Sequence, residues 1–178
     1  MQSMPDIMTD RLILRPHRRD DYDVFCDLWA HPDVVRHIGG KRFTAEESWM
    51  RLMNRPGMWH FMGFGFLAIE ERATGRFVGE GGFHEVRRDM TPSLIGTLEM
   101  GWALLPAFHG KGYPFEAMKA MIDWADKTFP GRTMTAIIAP DNAPSFKLAS
   151  KLGFLEYART DYHGEVVVLR REVAQDAA

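Results

Sequence analysis

His109-Gly110-Lys111-Gly112-Tyr113-Pro114 is the stretch whose residue types and spacing carry the clearest chemistry. It lies between an apolar run at residues 98–105 and an amphipathic segment at residues 115–129. A strand that empties through glycines into a helix leaves the first helical N–H groups without intrahelical partners, aimed at any anion that docks there. The glycines let a pyrophosphate approach the backbone, and the partial positive charge of the helix start holds it. Surface turns use Gly-Lys-Gly as well, so this loop alone does not separate a phosphate cradle from an ordinary turn. Gly101, inside the preceding apolar run, predicts a bulge or a close backbone approach. A bulge would free N–H groups able to polarise a carbonyl as charge develops on its oxygen.

Other chemistries lack their residues. His84-Glu85 does not continue as His-Glu-x-x-His, Lys111 is followed by Gly112 rather than Ser or Thr, and no Gly-x-Ser-x-Gly turn occurs. The one cysteine, Cys26, has no internal partner for a disulfide, and no Cys/His spacing matches a zinc site, so no metal is expected. A net charge of −2 gives no basic field for nucleic acid or an anionic membrane. No apolar run approaches the roughly 20 residues of a membrane span, and residues 1–10 lack a secretory apolar region. The expectation is a soluble, cytoplasmic protein. At 178 residues, 46% of them hydrophobic, the chain fits one domain (1–178, with its core at about 9–171). Its 12 methionines fall at periodic apolar positions such as Met118 and Met121, which reads as core filling.

The elements that must position the loop follow from periodicity. Leu12-Ile13-Leu14 is a short strand closed by Pro16, and Asp20 is the expected N-cap of a helix ending at His31-Pro32. Arg18-Arg19 beside Asp20-Asp21 reads as a compensated surface. Thr44-Ala45-Glu46-Glu47 is a capping box opening a second helix that Arg55-Pro56-Gly57 should stop. Strands are predicted at 63–70, 77–86 and 97–105, with a hairpin turn at 73–76. A helix at 115–129 carries Met118, Met121, Ile122, Ala125 and Phe129 as one stripe, with Pro114 in its first turn. A strand at 133–139, a helix at 142–152 ended by Gly153, and strands at 154–159 and 165–171 complete the chain; 161–164 turns the last hairpin and 174–178 frays. The pattern is an α+β sheet with helices on its faces.

With loop, strand and following helix placed, the chain resembles the GNAT superfamily of acyl-CoA-dependent N-acyltransferases, and most closely the RimJ/RimL-like branch. Three segments carry the likeness: Thr9-Asp10-Arg11-Leu12-Ile13-Leu14-Arg15-Pro16; Leu98-Glu99-Met100-Gly101-Trp102-Ala103-Leu104-Leu105-Pro106 running into the loop; and Asn142-Ala143-Pro144-Ser145 ending in Lys151-Leu152-Gly153-Phe154. The resemblance spans residues 9–171 and implies a mixed, mostly antiparallel sheet with a bulged, splayed strand pair and helices on both faces. The family's Gln/Arg-x-x-Gly-x-Gly/Ala motif falls on His109, Gly112 and Pro114, and Pro114 removes a donor where the family keeps one.

The resemblance implies acetyl transfer from acetyl-CoA to a primary amine, a protein N-terminus or a small molecule, by direct attack in a ternary complex. The cofactor would be held by Trp102, Ala103, Leu104, His109, Gly110, Lys111, Gly112, Tyr113, Pro114, Phe115 and Asn142. Glu99 matches the position of the family's general base; a carboxylate of ordinary pKa near 4.3 is a poor base, so burial would have to raise it or a water chain relay the proton. The family's tyrosine acid is replaced by Ala149, and Ser145 is the residue left to hydrogen-bond the departing sulfur. Asn142 and Ser145 also suit a plain helix start. The acceptor pocket would lie along the early helices, with Trp29, His31 and His84 as candidate contacts and Trp59, His60 and Phe61 nearby. A homodimer is left open. The rival reading is a catalytically weak acyl-CoA-binding or regulatory module of the same fold, favoured by Ala149 and Pro114.

Overall fold

A computed structural model describes residues 4–171; the expected fraying at 174–178 lies outside the described residues. Eight strands form one sheet in the order β1-β2-β3-β4-β5-β6-β8-β7: β1 (Ile7–Met8), β2 (Leu12–Arg15), β3 (Phe66–Glu71), β4 (Phe77–His84), β5 (Leu98–Leu104), β6 (Met134–Ile138), β7 (Leu155–Asp161) and β8 (Glu165–Arg171). Neighbours are antiparallel except β5 and β6, which run parallel and pair at Leu98↔Met134 and Glu99↔Thr135 before separating. The strand pair expected to splay does so.

Helices cover both faces. On one, α4 (Tyr113–Thr128) and α5 (Ala143–Lys151) bury Ala117, Met118, Met121, Ile122, Ala125 and Ala149 against Leu12, Leu14, Leu67, Ile69, Leu98, Met100 and Leu104. The 3.6-residue stripe of α4 makes this contact, so the methionines are core. On the other face, α1 (Tyr22–Ala30), α2 (Pro32–Val35) and α3 (Ala45–Met62) bury Phe25, Leu28, Trp29, Val35 and Leu52 against Ala68, Phe77 and Ala103.

Several expectations are corrected. Helix α3 does not stop at Arg55-Pro56-Gly57 but runs to Met62, where Gly63 (φ 74°) ends it. Pro56 is on the exposed side while Leu52 and Trp59 are buried, so tertiary packing holds the helix through a proline that gives the Leu52 carbonyl no i+4 N–H. The capping box at its start is formed, with the Glu47 N–H donating to Thr44 Oγ1 and the Thr44 N–H to Glu47 Oε2 at 2.8 Å. Asp21, not Asp20, precedes α1, and it is no surface acid: Arg15 Nη1 and Nη2 each donate to it at 2.8 Å, and both residues are buried. Pro32 ends one helix and begins α2.

Gly101 is not a bulge. Register between β4 and β5 is continuous from Gly79↔Leu104 to His84↔Glu99, and the irregularities fall at Ile69/Glu70 and Glu156/Ala158. A Cβ at Gly101 would stand 2.8 Å from Phe66 Cζ, so the glycine answers to a close approach by that ring.

Candidate active site

The splay is the first part of the site. The Leu98 N–H donates to Thr133 O toward β6, and the Leu105 N–H to Val78 O toward β4, each at 2.9 Å. Between them the register is unbroken, so alternate residues face alternate sides, and Trp102 and Leu104 turn their N–H groups to the side that β6 has left. Ala103 is different: its backbone faces β4, opposite Glu80, and its side chain is buried under the α1 face, so it is not free to hold a ligand. Trp102 is half-buried and packs against the α4-side core.

The loop leads from that notch into α4. Gly110 (φ 73°) and Gly112 (φ 78°) both adopt the left-handed conformation, and Gly112 is the N-cap of α4 with no side chain capping it. The N–H groups of Gly110, Lys111, Gly112, Tyr113 and Phe115 have no partner among the described residues; Glu116 N is the first to bond back, to Gly112 O at 3.1 Å. Pro114 supplies none. The His109 ring is not directed at a ligand: its Nε2 lies 2.9 Å from Leu104 O, joining the loop to the strand end. The Tyr113 ring is likewise structural, buried against Phe108 with its hydroxyl donating to Glu71 Oε1 at 2.5 Å. Tyr113 can offer an anion its backbone N–H alone, and the His109 N–H is already taken by Pro106 O at 3.0 Å, whereas the Lys111 side chain is exposed, its Nζ 5.1 Å from the Phe108 ring centre.

The contacts that fix the loop come from the N-terminal segment. Arg11 donates from Nη1 to Lys111 O at 2.9 Å and from Nε to Glu116 Oε2 at 2.7 Å, while Thr9 Oγ1 donates to Glu116 Oε1 at 2.6 Å. Holding the Lys111 carbonyl on this side fixes the peptide that carries the Gly112 N–H. Thr9 and Arg11 belong to the N-terminal segment quoted for the family likeness, but nothing in the sequence pairs them with Glu116, 105 residues beyond Arg11. Beside Gly112 opens a groove of about 550 Å³ lined in part by Phe115, Lys119 and Lys151.

Across the notch, Asn142 caps α5, its Oδ1 accepting the Ser145 N–H at 3.2 Å, which commits that oxygen and leaves the Asn142 amide NH₂ to donate. Ser145 is half-buried in the first turn of α5, and no partner takes its hydroxyl among the described residues. Ala149 is fully buried in the core.

Glu99 and His84 face one another on β5 and β4, with His84 Nε2 2.9 Å from Glu99 Oε1. Arg88, from the segment after β4, donates to the same carboxylate from Nε at 3.0 Å and from Nη2 at 2.7 Å. Glu99 is 2% exposed. Burial alone would push its carboxyl up, but His84 and Arg88 outweigh that and hold it below the usual range. The raised basicity that the sequence reading asked of Glu99 is therefore absent, because the burial comes with two cationic or donor partners. Arg88 also lies over the Tyr162 ring of the β7–β8 turn, at 5.0 Å.

The acceptor-pocket residues divide. His84 opens to solvent and packs against Phe66, ring centres 5.2 Å apart. Trp29 is 2% exposed, stacks on Phe43 and donates to Glu80 Oε1 at 3.1 Å, so it is core rather than pocket lining. His31 accepts the Asp33 N–H at the start of α2, and Trp59 is buried with its indole N–H on Phe66 O. Phe61 is exposed.

A family model described as an acetyltransferase (GNAT) domain matches residues 11–155. A putative GnaT-family acetyltransferase from Bordetella pertussis superposes with a TM-score of 0.84 at 31% identity, covering 94% of this chain and 99% of that one. The curated sequence "Uncharacterized N-acetyltransferase p20" from Bacillus licheniformis is 27% identical over 154 residues, 85% of this chain and 83% of its own length. A spermidine N-acetyltransferase from Vibrio cholerae, solved with CoA and spermine, shares the fold at a TM-score of 0.72 and 16% identity over 92% of this chain and 96% of that one.

Proposed function

Because the chain belongs to the GNAT acetyltransferase family, we propose that it transfers an acetyl group from acetyl-CoA to a primary amine, in one catalytic domain (1–178) with its core at about 9–171. The observation that supports this best is the conjunction of two sets of unpartnered N–H groups on one path. Trp102 and Leu104 point into the splay between β5 and β6, and the loop from Gly110 to Phe115 offers five more at the start of α4. The first set suits the amide-bearing arm of the cofactor and the second its pyrophosphate. Asn142 and Ser145 stand at the start of α5, where the NH₂ group would donate to the arm and the hydroxyl to the departing sulfur.

In this reading both substrates are bound at once, and the amine nitrogen attacks the thioester carbonyl without an acyl-enzyme. The chain is assigned to the RimJ/RimL-like branch on its three sequence segments, with a protein N-terminus or a small amine as acceptor. The test is thiol release from acetyl-CoA with a panel of N-terminal peptides, polyamines, aminoglycosides and amino acids. Turnover with one class establishes the activity. Stabilisation by acetyl-CoA with no thiol released by any acceptor makes the protein a binding module instead.

A further inference from the structure

Resting on the acetyl-transfer reading, the geometry points to His84 as the group that takes the proton from the acceptor ammonium, with Glu99 as a positioning residue behind it. The Glu99 carboxylate is occupied by Arg88 through two bonds and by His84 through one, and is closed off from solvent. A proton acceptor needs a lone pair that the substrate can reach. With Nε2–H donated to Glu99, the His84 lone pair resides on Nδ1, on a ring whose side chain is 20% exposed. The carboxylate thus selects the tautomer and steadies the imidazolium once formed, the division of labour that a carboxylate–histidine pair performs elsewhere.

The surroundings suit the role. Gly82 and Gly101, the register pair two residues along the strands from His84 and Glu99, carry no side chains, and Phe66 is the ring that packs over both Gly101 and His84. Glu99 and Trp102 are three residues apart on β5, about 10 Å along the strand, so the His84–Glu99 pair stands close along the strand to the N–H groups that face the splay. The charged and titratable groups facing His84 are Glu99 from β5, Arg88 from the segment after β4, Arg55 from α3 on the Phe66 ring at 4.4 Å, and Tyr162 against Arg88 from the β7–β8 turn. Arg88 matches the charge of Glu99, so a proton arriving at His84 meets a neutral pair rather than a bare carboxylate.

The step balances as follows. His84 Nδ1 accepts one proton from the ammonium and later passes it to solvent. The freed nitrogen lone pair forms the N–C bond, the C–S pair leaves on sulfur, and the second nitrogen proton ends on the thiolate.

The experiment uses the best acceptor from the thiol-release panel and compares wild type, His84→Gln, His84→Ala and Glu99→Gln across pH 5–9. His84→Gln is expected to lose about 100-fold or more in kcat, with acetyl-CoA affinity unchanged, and His84→Ala to regain turnover with added imidazole. Glu99→Gln keeps an oxygen for Nε2–H and is expected to lose about tenfold in kcat with the acceptor KM and the acetyl-CoA affinity unchanged. If His84→Gln turns over within threefold of wild type, or Glu99→Gln is the inactive variant while His84→Gln is not, the assignment is overturned and acetyl transfer stands. If wild type releases no thiol with any acceptor, both readings fall together.

Discussion

Arg55 on α3 and Glu80 on β4 form a two-point ion pair in the buried layer beneath the early helices, Arg55 Nε lying 2.8 Å from Glu80 Oε2 and Nη2 meeting Oε1. Trp29 Nε1 donates to the same carboxylate at 3.1 Å and His17 Nε2 lies 3.1 Å from it, so one fully buried acid ties α1, α3 and the segment after β2 to the sheet. Removing one partner of such a pair leaves an uncompensated buried charge. Arg55→Met is expected to lower stability by about 3–5 kcal/mol, only part of it recovered in Arg55→Met/Glu80→Leu because that change leaves the buried Trp29 N–H without its acceptor, as read from urea unfolding.

The same carboxylate sets a pH dependence. Burial pushes the Glu80 carboxyl up, but Arg55, His17 and Arg51 outweigh that and bring it down to about 2 from 4.5. The folded value lies below the unfolded one, so the stabilisation is present above about pH 4.5 and is lost as pH falls toward 2. A shift of that size corresponds to about 3 kcal/mol. Unfolding measured at pH 7, 4 and 3 should show this loss in wild type, and a flatter slope in Glu80→Gln.

Pro114 withholds one N–H from the loop that starts α4. Pro114→Ala adds a donor there and is expected to tighten acetyl-CoA by about three- to tenfold, the worth of one hydrogen bond. Gly112→Ala should do the opposite, since φ of 78° strains any side chain by about 1–2 kcal/mol and its Cβ would meet Arg11 Nη2 at 3.4 Å. Calorimetric titration with acetyl-CoA checks both, and equal affinities in the two variants would remove this loop from the cofactor site.

Ala149 stands at the position where the family resemblance led us to expect a tyrosine acid, and it is fully buried among core side chains. Ala149→Tyr is therefore expected to overpack the core, costing about 1–3 kcal/mol, and to bring no gain in thiol release. A melting curve and the release assay measured together decide this.

Local patterns in the chain were enough for α4, whose apolar stripe and Pro114 state both its face and its start, and for the capping box at Thr44. Both are short-range: the residues that decide them lie within a turn or two of one another. Pro56 reads as a stop by the same local logic and is overruled, because Leu52 and Trp59 on either side are held by the sheet. Gly101 illustrates the limit differently: the sequence reports that a side chain is unwelcome there, but Phe66, 35 positions earlier, is the reason.

What the sequence determined by itself is the order of the longer elements, without the two-residue β1 and the short α2, the glycine loop at the head of α4 and, through three spaced segments, the family. What only the tertiary structure decided is the use of each polar side chain. Glu99 is a tethered carboxylate, His84 an accessible ring, Trp29 core and His109 a brace, because each acquires its partner from another strand, another helix or the far end of a loop. Hydrogen bonds and burial, unlike periodicity, are properties of a pair or a surrounding, and a linear chain specifies them only by folding.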